Sequence, residues 1–395
     1  MTIDALAPAT RSGLTDDMLS RFHERAPIYD RENRFFDEDF EELRSAGYLK
    51  IAIPRELGGG GMSLAQVARE QRRLAYHAPA TALAVNMHVY WTGVAADLRR
   101  FGDSSLEWML REAAAGEVFA AGHAETGNDL PVLLSTAKAE RVAGGYRISG
   151  HKMFGSLTPV WTRLGVHAMD TSDPTAPKVV HAFVPRGTPG YSVRETWDTL
   201  GMRPTRSDDT ILDNVFVPDK YIGHIVPAGA LDPFVGAVFA WALLNFGSIY
   251  YGLAERARDV AITAVRKKTS LGVSRTMAYH PEIQHLFSEM QLTLEAMGPQ
   301  LEKVADDWSN GVDHGAAWPM KIVAAKYNAV EGAKKVVDLA MTASGGAGMF
   351  KSSDLERLYR DVRCGGFHPA NTTLTHEIVG KTTLGIGLDE QPRWG

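Results

Sequence analysis

Two hydrophobic periods divide this chain into three blocks, and the blocks do not mix. Up to about Gly116 apolar residues recur at spacings of three and four, as in DDMLSRFHERAPIYD and DEDFEELRSAGYL, which is the period of an amphipathic helix. From about Phe119 to Pro218 short strand-like runs alternate with turns: KAERVAGGYRISGHKMF, WTRLGVHAMD, KVVHAFVPRG and DTILDNVFVP. After about Pro233 the helical period returns in four segments that pair an apolar stripe with a charged face, ending in NTTLTHEIVGKTTLGIG. Helices, then strands, then helices predict an α+β architecture with boundaries at 1–118, 119–225 and 226–395.

Local signals support the block assignment. Ser63 with Gln66 three residues on is a capping box that starts a helix. Val142-Ala143-Gly144-Gly145-Tyr146 has the spacing of a hairpin. The run PFVGAVFAWALLNFGSIYYGLA is apolar but contains Asn245 and several glycines, so a buried core helix is expected and a membrane span is not.

Bulk properties narrow the function. With 45% hydrophobic and 23% charged residues and a formal net charge of -5, the chain lacks the basic footprint of a nucleic-acid binder. A single cysteine, Cys364, excludes an intramolecular disulfide framework and a cysteine-cluster metal site. That usage fits a reducing cytoplasm, and the start MTIDALAPATRSGL lacks the basic and apolar regions of a signal peptide, so a cytoplasmic location is expected. His280 and His285, five apart, do not share a helix face, so no metal is expected.

Four motifs carry a resemblance. They are AGHAETGNDLP (Ala121 to Pro131), GGYRISGHKMFGSLTP, LGMRPTRSDDTILDNVFVP (Leu200 to Pro218), and the C-terminal run GGAGMFKSSDLERLYRDVRCGGFHPANTTLTHEIVGK (Gly345 to Lys381). Together, and in this order, they resemble the acyl-CoA dehydrogenase superfamily across nearly the whole chain. The resemblance implies an acyl-CoA dehydrogenase-like fold, with an N-terminal helical domain, a middle β-barrel or sheet domain and a C-terminal four-helix bundle. It also implies FAD, with FMN as the alternative, lying between sheet and bundle.

The resemblance implies roles for individual residues. Glu125, Gly127 and Asp129 belong to a loop beside the flavin ring, in which Ala124 replaces a threonine. Phe154 stands for a tryptophan that packs on the ring, and the Ser156 hydroxyl falls where a threonine meets flavin N5. Gly345 and Gly346 are expected near the pyrophosphate or adenine half of a neighbouring subunit's cofactor, where glycine permits close backbone approach. Arg266, in the degraded segment VRKKTSLG, is the expected pyrophosphate cation, and Asn371 lies in the closing loop. Arg360 and Asp361 lead into that loop. The third motif is expected to be mostly structural.

One position departs from the family. Where its dehydrogenases usually carry the glutamate that removes the substrate's α-proton, this chain has Pro369, and the family's alternative position, around Ala242 and Leu243, holds no acid. General-base help is worth roughly 10²–10⁴-fold, so a replacement is needed. His368 is adjacent and has an ordinary pKa near neutrality. His88, in MHVYW, is expected to face the cavity, and His123 has similar standing. Trp91, Phe154, Trp241, Phe246 and Tyr250 are expected to shape that cavity.

Two enzyme classes follow from the resemblance. One is FAD-dependent α,β-dehydrogenation of an acyl-CoA or similar thioester with a non-standard base, passing electrons to an electron-transfer flavoprotein. The other is a two-component flavin monooxygenase supplied with reduced flavin by a separate reductase, in which a histidine or serine hydroxyl steers the oxygen. A non-catalytic subunit of a hetero-oligomer is a third reading. The motif order and paired glycines lean towards the dehydrogenase, assembled as a homotetramer or dimer.

Overall fold

The computed structural model describes residues 12–388 and Glu390. Five helices come first: α1 (Asp16–Glu32), α2 (Asp37–Ser45), α3 (Leu64–His77), α4 (Pro79–Arg100) and α5 (Glu107–Ala114). Eight strands follow: β1 (Phe119–Gly122), β2 (Lys138–Val142), β3 (Gly145–Lys152), β4 (Arg163–Asp170), β5 (Lys178–Pro185), β6 (Tyr191–Arg194), β7 (Asp209–Pro218) and β8 (Ile222–Pro227). Five more helices close the chain: α6 (Pro233–Lys267), α7 (Pro281–Ser309), α8 (Trp318–Ser344), α9 (Asp354–Arg363) and α10 (Thr372–Leu384).

The local signals act as their chemistry predicts. Ser63 accepts from the Gln66 amide while the Gln66 side chain accepts from the Ser63 amide at 2.9 Å, closing both halves of the capping box. The hairpin turns at Ala143-Gly144, with Gly144 at φ +78°, and joins β2 to β3. The strands form one mixed sheet in the order β6-β7-β3-β2-β4-β5-β8, with β1 running parallel to β4.

The long helix α6 is the axis of the molecule. It packs against α3 and α4 from the first block and against α7, α8 and α9 from the third. Its most apolar 18-residue stretch is 94% buried, which explains a composition that by length and hydropathy alone could cross a membrane. Helix α4 crosses it closely: a Cβ on Gly93 would lie 2.2 Å from the Trp241 ring. Only glycine lets the Trp241 ring lie this close to the α4 backbone. Trp241 then turns its indole N–H to Asp97 at 2.6 Å, so its one polar atom is satisfied in the core.

Candidate functional site

The first motif forms a pinned loop after β1. The Glu125 carboxylate accepts from Lys152 Nζ (2.5 Å), Ser135 Oγ (2.6 Å), Asn128 Nδ2 (2.9 Å) and the amides of Thr136 (2.8 Å) and Ala137 (3.1 Å). Burial works to raise its pKa, but the ammonium and these donors outweigh it and hold the carboxyl below its usual value. Burial pushes Lys152 down to about 8. Glu125 was expected at the cofactor; its carboxylate is instead spent on shaping the loop from within. Gly127, at φ +75°, and Asp129 lie on the loop's exposed side.

The second motif lies directly against the first, because the Met153 amide donates to the Ala124 carbonyl at 2.9 Å. Phe154 sits at φ +56° and is 52% exposed, its ring edge-on to Trp197 at 5.7 Å. This left-handed backbone is uncommon for an aromatic residue and directs attention to the position. Ser156 is buried, and its hydroxyl meets Ser207 Oγ at 2.7 Å, which meets Thr205 Oγ1 at 2.7 Å, which donates to the Met202 carbonyl at 2.8 Å.

That hydroxyl chain continues into the bundle. The Met202 amide donates to Asp361 Oδ1 at 2.6 Å, and Gly201 lies so close to α9 that a Cβ there would be 2.4 Å from the Arg360 carbonyl oxygen. Burial raises Asp361 to about 6, opposed by Arg357. Arg360 forks onto Asp30 at 2.5 and 3.0 Å and also donates to the Leu200 carbonyl. The third motif, expected to be mostly structural, therefore supplies Thr205 and Ser207 and ties the sheet to α9. The hydroxyl-rich string PTRSDDT was the sequence signal for it.

Past α9 the chain turns through Cys364–Phe367 to His368. The imidazole stacks on Phe246 with ring centroids 4.7 Å apart and planes 17° apart, and Nε2 lies 2.8 Å from the Tyr250 hydroxyl. Burial, then the charge of Lys326, pushes its pKa down to about 3. Tyr250 is fully buried, which raises its pKa well above the ordinary value and keeps its proton in place. The Tyr250 hydroxyl and Nε2 of the neutral ring share this hydrogen bond, with the tautomer of His368 deciding which of them donates. Lys326, itself pushed down to about 7 by burial and by Lys334, donates to the carbonyls of Gly365, His368 and Ala370.

Other expected positions fall elsewhere. His88 was expected to face a cavity; instead Nε2 meets the Leu49 carbonyl at 2.8 Å and Nδ1 accepts from the Phe119 amide at 3.0 Å. Both ring nitrogens are committed and burial lowers the pKa to about 4, so we leave His88 out of the site. Trp91 and Trp241 are core residues, and of the expected cavity-shaping rings only Phe246 and Tyr250 touch His368. Asn371 caps α10, its Oδ1 accepting from the Leu374 amide at 2.9 Å. His123 is packed beside His167 and Trp91, and its Nε2 has no partner among the described residues. No group of three or more His, Cys, Asp or Glu among the described residues could hold a metal.

At the far end of α8, Gly345 adopts φ +67° and Gly346 is open: a Cβ on it would meet nothing within 4 Å. Arg266 is exposed on the last turn of α6, yet the cation that reaches the glycine turn is Lys268, whose Nζ lies 3.4 Å from the Ser344 carbonyl. An exposed aromatic ring beside a hydroxyl chain suits the flat ring of a flavin, and, separately, an open glycine turn next to a lysine suits the phosphate of a cofactor bound by a neighbouring subunit. The residues present fit a flavin on those observations.

The chain matches the acyl-CoA dehydrogenase N-terminal domain over residues 13–117, the middle domain over 119–215 and the C-terminal domain over 235–369. It belongs to the acyl-CoA dehydrogenase superfamily. Within that superfamily, the amino sugar nitrososynthase DnmZ of Streptomyces peucetius is 30% identical over 93% of this chain and 92% of its own. The crystal structure of a nitrososynthase from Micromonospora carbonacea var. africana superposes with a TM-score of 0.84 at 26% identity, covering 97% of this chain and 99% of that one. KijD3 in complex with FMN and dTDP-3-amino-2,3,6-trideoxy-4-keto-3-methyl-D-glucose shares the fold, with a TM-score of 0.83 at 24% identity over 98% and 97% of the two chains.

Proposed function

We propose that this superfamily member is a flavin-dependent monooxygenase acting on an amine-bearing small molecule, with reduced flavin delivered by a separate reductase. One observation carries the reading. His368, beside Pro369 rather than a carboxylate, shares a hydrogen bond with Tyr250, and burial pushes its pKa down to about 3. A ring held at that value is a poor acceptor for the α-proton of a thioester, whereas its hydrogen bonds can still orient an oxygen. The similarity to nitrososynthases supports an amino group, as on an amino sugar, as the oxygenated function.

When bound, reduced flavin supplies two electrons and the place where oxygen is activated. The chain's own groups do the rest. Phe154 offers an exposed ring face on the sheet side. Ser156 holds a hydroxyl whose position is set by Ser207 and Thr205. Tyr250 keeps its proton at Oη, shares a hydrogen bond with Nε2 and so fixes the orientation of the His368 ring. Phe246 screens one face of that imidazole from water.

The test compares two assays on the purified protein. In the first, FMN or FAD, a flavin reductase, NADH and oxygen are supplied with a panel of free and nucleotide-linked amino sugars, and oxygenated product is read by mass spectrometry. In the second, protein-bound flavin is mixed anaerobically with acyl-CoA thioesters and its absorbance followed. Bleaching by a thioester with no oxygenated amine would establish dehydrogenation and sink the proposal. The second reading, thioester dehydrogenation, keeps the support of the family match along the chain.

The same reading includes assembly of several copies. Gly346 is open and Met349 and Phe350 are 70% and 66% exposed beside it, an apolar edge suited to a second subunit. Mass photometry showing only monomers at micromolar concentration would remove this part.

A further inference from the structure

We infer that Lys326 is a positioning residue that sets the conformation of the His368 loop and thereby aims the imidazole. The inference rests on the reading that His368 is a functional residue. Lys326 sits in the middle of α8 and is only 2% exposed. Its ammonium has three protons, and the structure gives each an acceptor: the carbonyls of Gly365 at 3.3 Å, His368 at 3.0 Å and Ala370 at 2.9 Å. All three acceptors lie within six residues, and the middle one is the backbone of His368 itself.

No carboxylate bonds to Lys326 among the described residues. A buried ammonium without a counter-ion is costly, and it persists where its geometry is over-determined by hydrogen bonds. The loop needs the lysine as much as the lysine needs the loop. Of the three carbonyls, that of Ala370 also accepts from Thr375 Oγ1 of α10 at 3.4 Å, and Lys326 is the side chain that reaches all three. A neutral aliphatic side chain there would leave buried acceptors unmet, and the loop would reorganise to hydrate them. Among the described residues the imidazole is held by Phe246 and Tyr250. Two clamps therefore define it: α6 grips the ring and α8 grips the backbone that carries it. Close approach of Gly365 to both helices, with a Cβ there 2.9 Å from Val330 and 3.1 Å from Tyr250, leaves the loop no other seat.

Lys326→Met tests this in two ways. Amide hydrogen exchange of the peptide covering 364–372, measured without cofactor, should accelerate at least tenfold, while the peptide covering 16–32 stays unchanged. Unchanged exchange at 364–372 overturns the inference. In turnover with FMN, NADH, reductase and an accepted amino sugar, kcat should fall while KM moves less than twofold, since Lys326 does not touch substrate. Adding Lys326→Met to His368→Ala should cost nothing further. Multiplying losses would mean that Lys326 acts independently of His368, and would also overturn the inference. If Lys326→Met fails to fold, Lys326→Gln, which keeps two donors, should give intermediate exchange; wild-type exchange in that variant counts against the inference, and intermediate exchange supports it. A fully active His368→Ala would remove the proposed function alone, leaving the exchange result to decide whether Lys326 anchors the loop.

Discussion

Lys152 and Glu125 form an ion pair of 2.5 Å in which both side chains are almost wholly removed from solvent. The pair links the end of β3 to the loop after β1, and both partners find further hydrogen bonds: Lys152 to the His167 carbonyl, Glu125 to two backbone amides. Breaking a buried pair by removing one partner strands the other, at a cost of about 3–5 kcal/mol. Lys152→Met should therefore lower stability by roughly that amount, read from denaturant unfolding. A change below about 1 kcal/mol would show that the loop is held by its amide donors alone.

His368 should stay neutral throughout the working range. With its pKa at about 3, its charge is settled above roughly pH 4 and no activity transition between pH 5 and 8 belongs to it. The measurement is the ring ¹⁵N shift of His368, assigned by difference from His368→Ala; titration near pH 6.5 would contradict the burial that Phe246 and Tyr250 impose.

Tyr250→Phe removes the hydroxyl bonded to Nε2 while keeping the ring packing. The imidazole then loses the bond that fixes its tautomer and orientation. Turnover should fall about tenfold or more with little effect on thermal stability. Wild-type turnover in this variant would mean that the tautomer is irrelevant to the chemistry.

His88 gives a pH signature of folding. Its pKa falls from 6.5 to about 4 in the folded chain because burial penalises the cation. The unfolded chain binds the proton first, so this contribution is complete above about pH 6.5 and is lost as pH falls towards 4. The stability gap between wild type and His88→Gln should narrow by on the order of 3 kcal/mol over that window. A gap independent of pH would show that the ring is not desolvated.

Phe154→Ala should weaken flavin binding about tenfold, measured by equilibrium dialysis, since an aromatic contact is worth about 0.5–1.5 kcal/mol beyond its buried area. Unchanged affinity would move the ring site away from Phe154.

The three-block order, the capping box at Ser63 and the hairpin at Gly144 were legible because each rests on local chemistry within a few residues. Ser156 and His368 stood out in the sequence because each is a polar side chain inside a recognisable motif. Glu125 and Asn371 were read as cofactor contacts because the sequence shows a carboxylate and an amide without showing what they face; one is consumed by Lys152 and the other by the first turn of α10. His88 failed for the same reason, its two partners being backbone groups 39 and 31 residues away. Thr205 and Ser207 were passed over because their importance comes from reaching Ser156 across about 50 residues. Lys326 carried no sequence signal at all, since one lysine among the charges of a helix looks like surface until burial shows otherwise.

Helix α6 packs against helices from both ends of the chain, whereas the strands occupy the span between them. The first and last blocks therefore share a single keel, and neither can be removed without exposing it. The sheet is a passenger mounted on that keel. A chimera that exchanges residues 119–227 with a relative should keep the hull intact, whereas a cut at Pro233 should leave two pieces that sink separately.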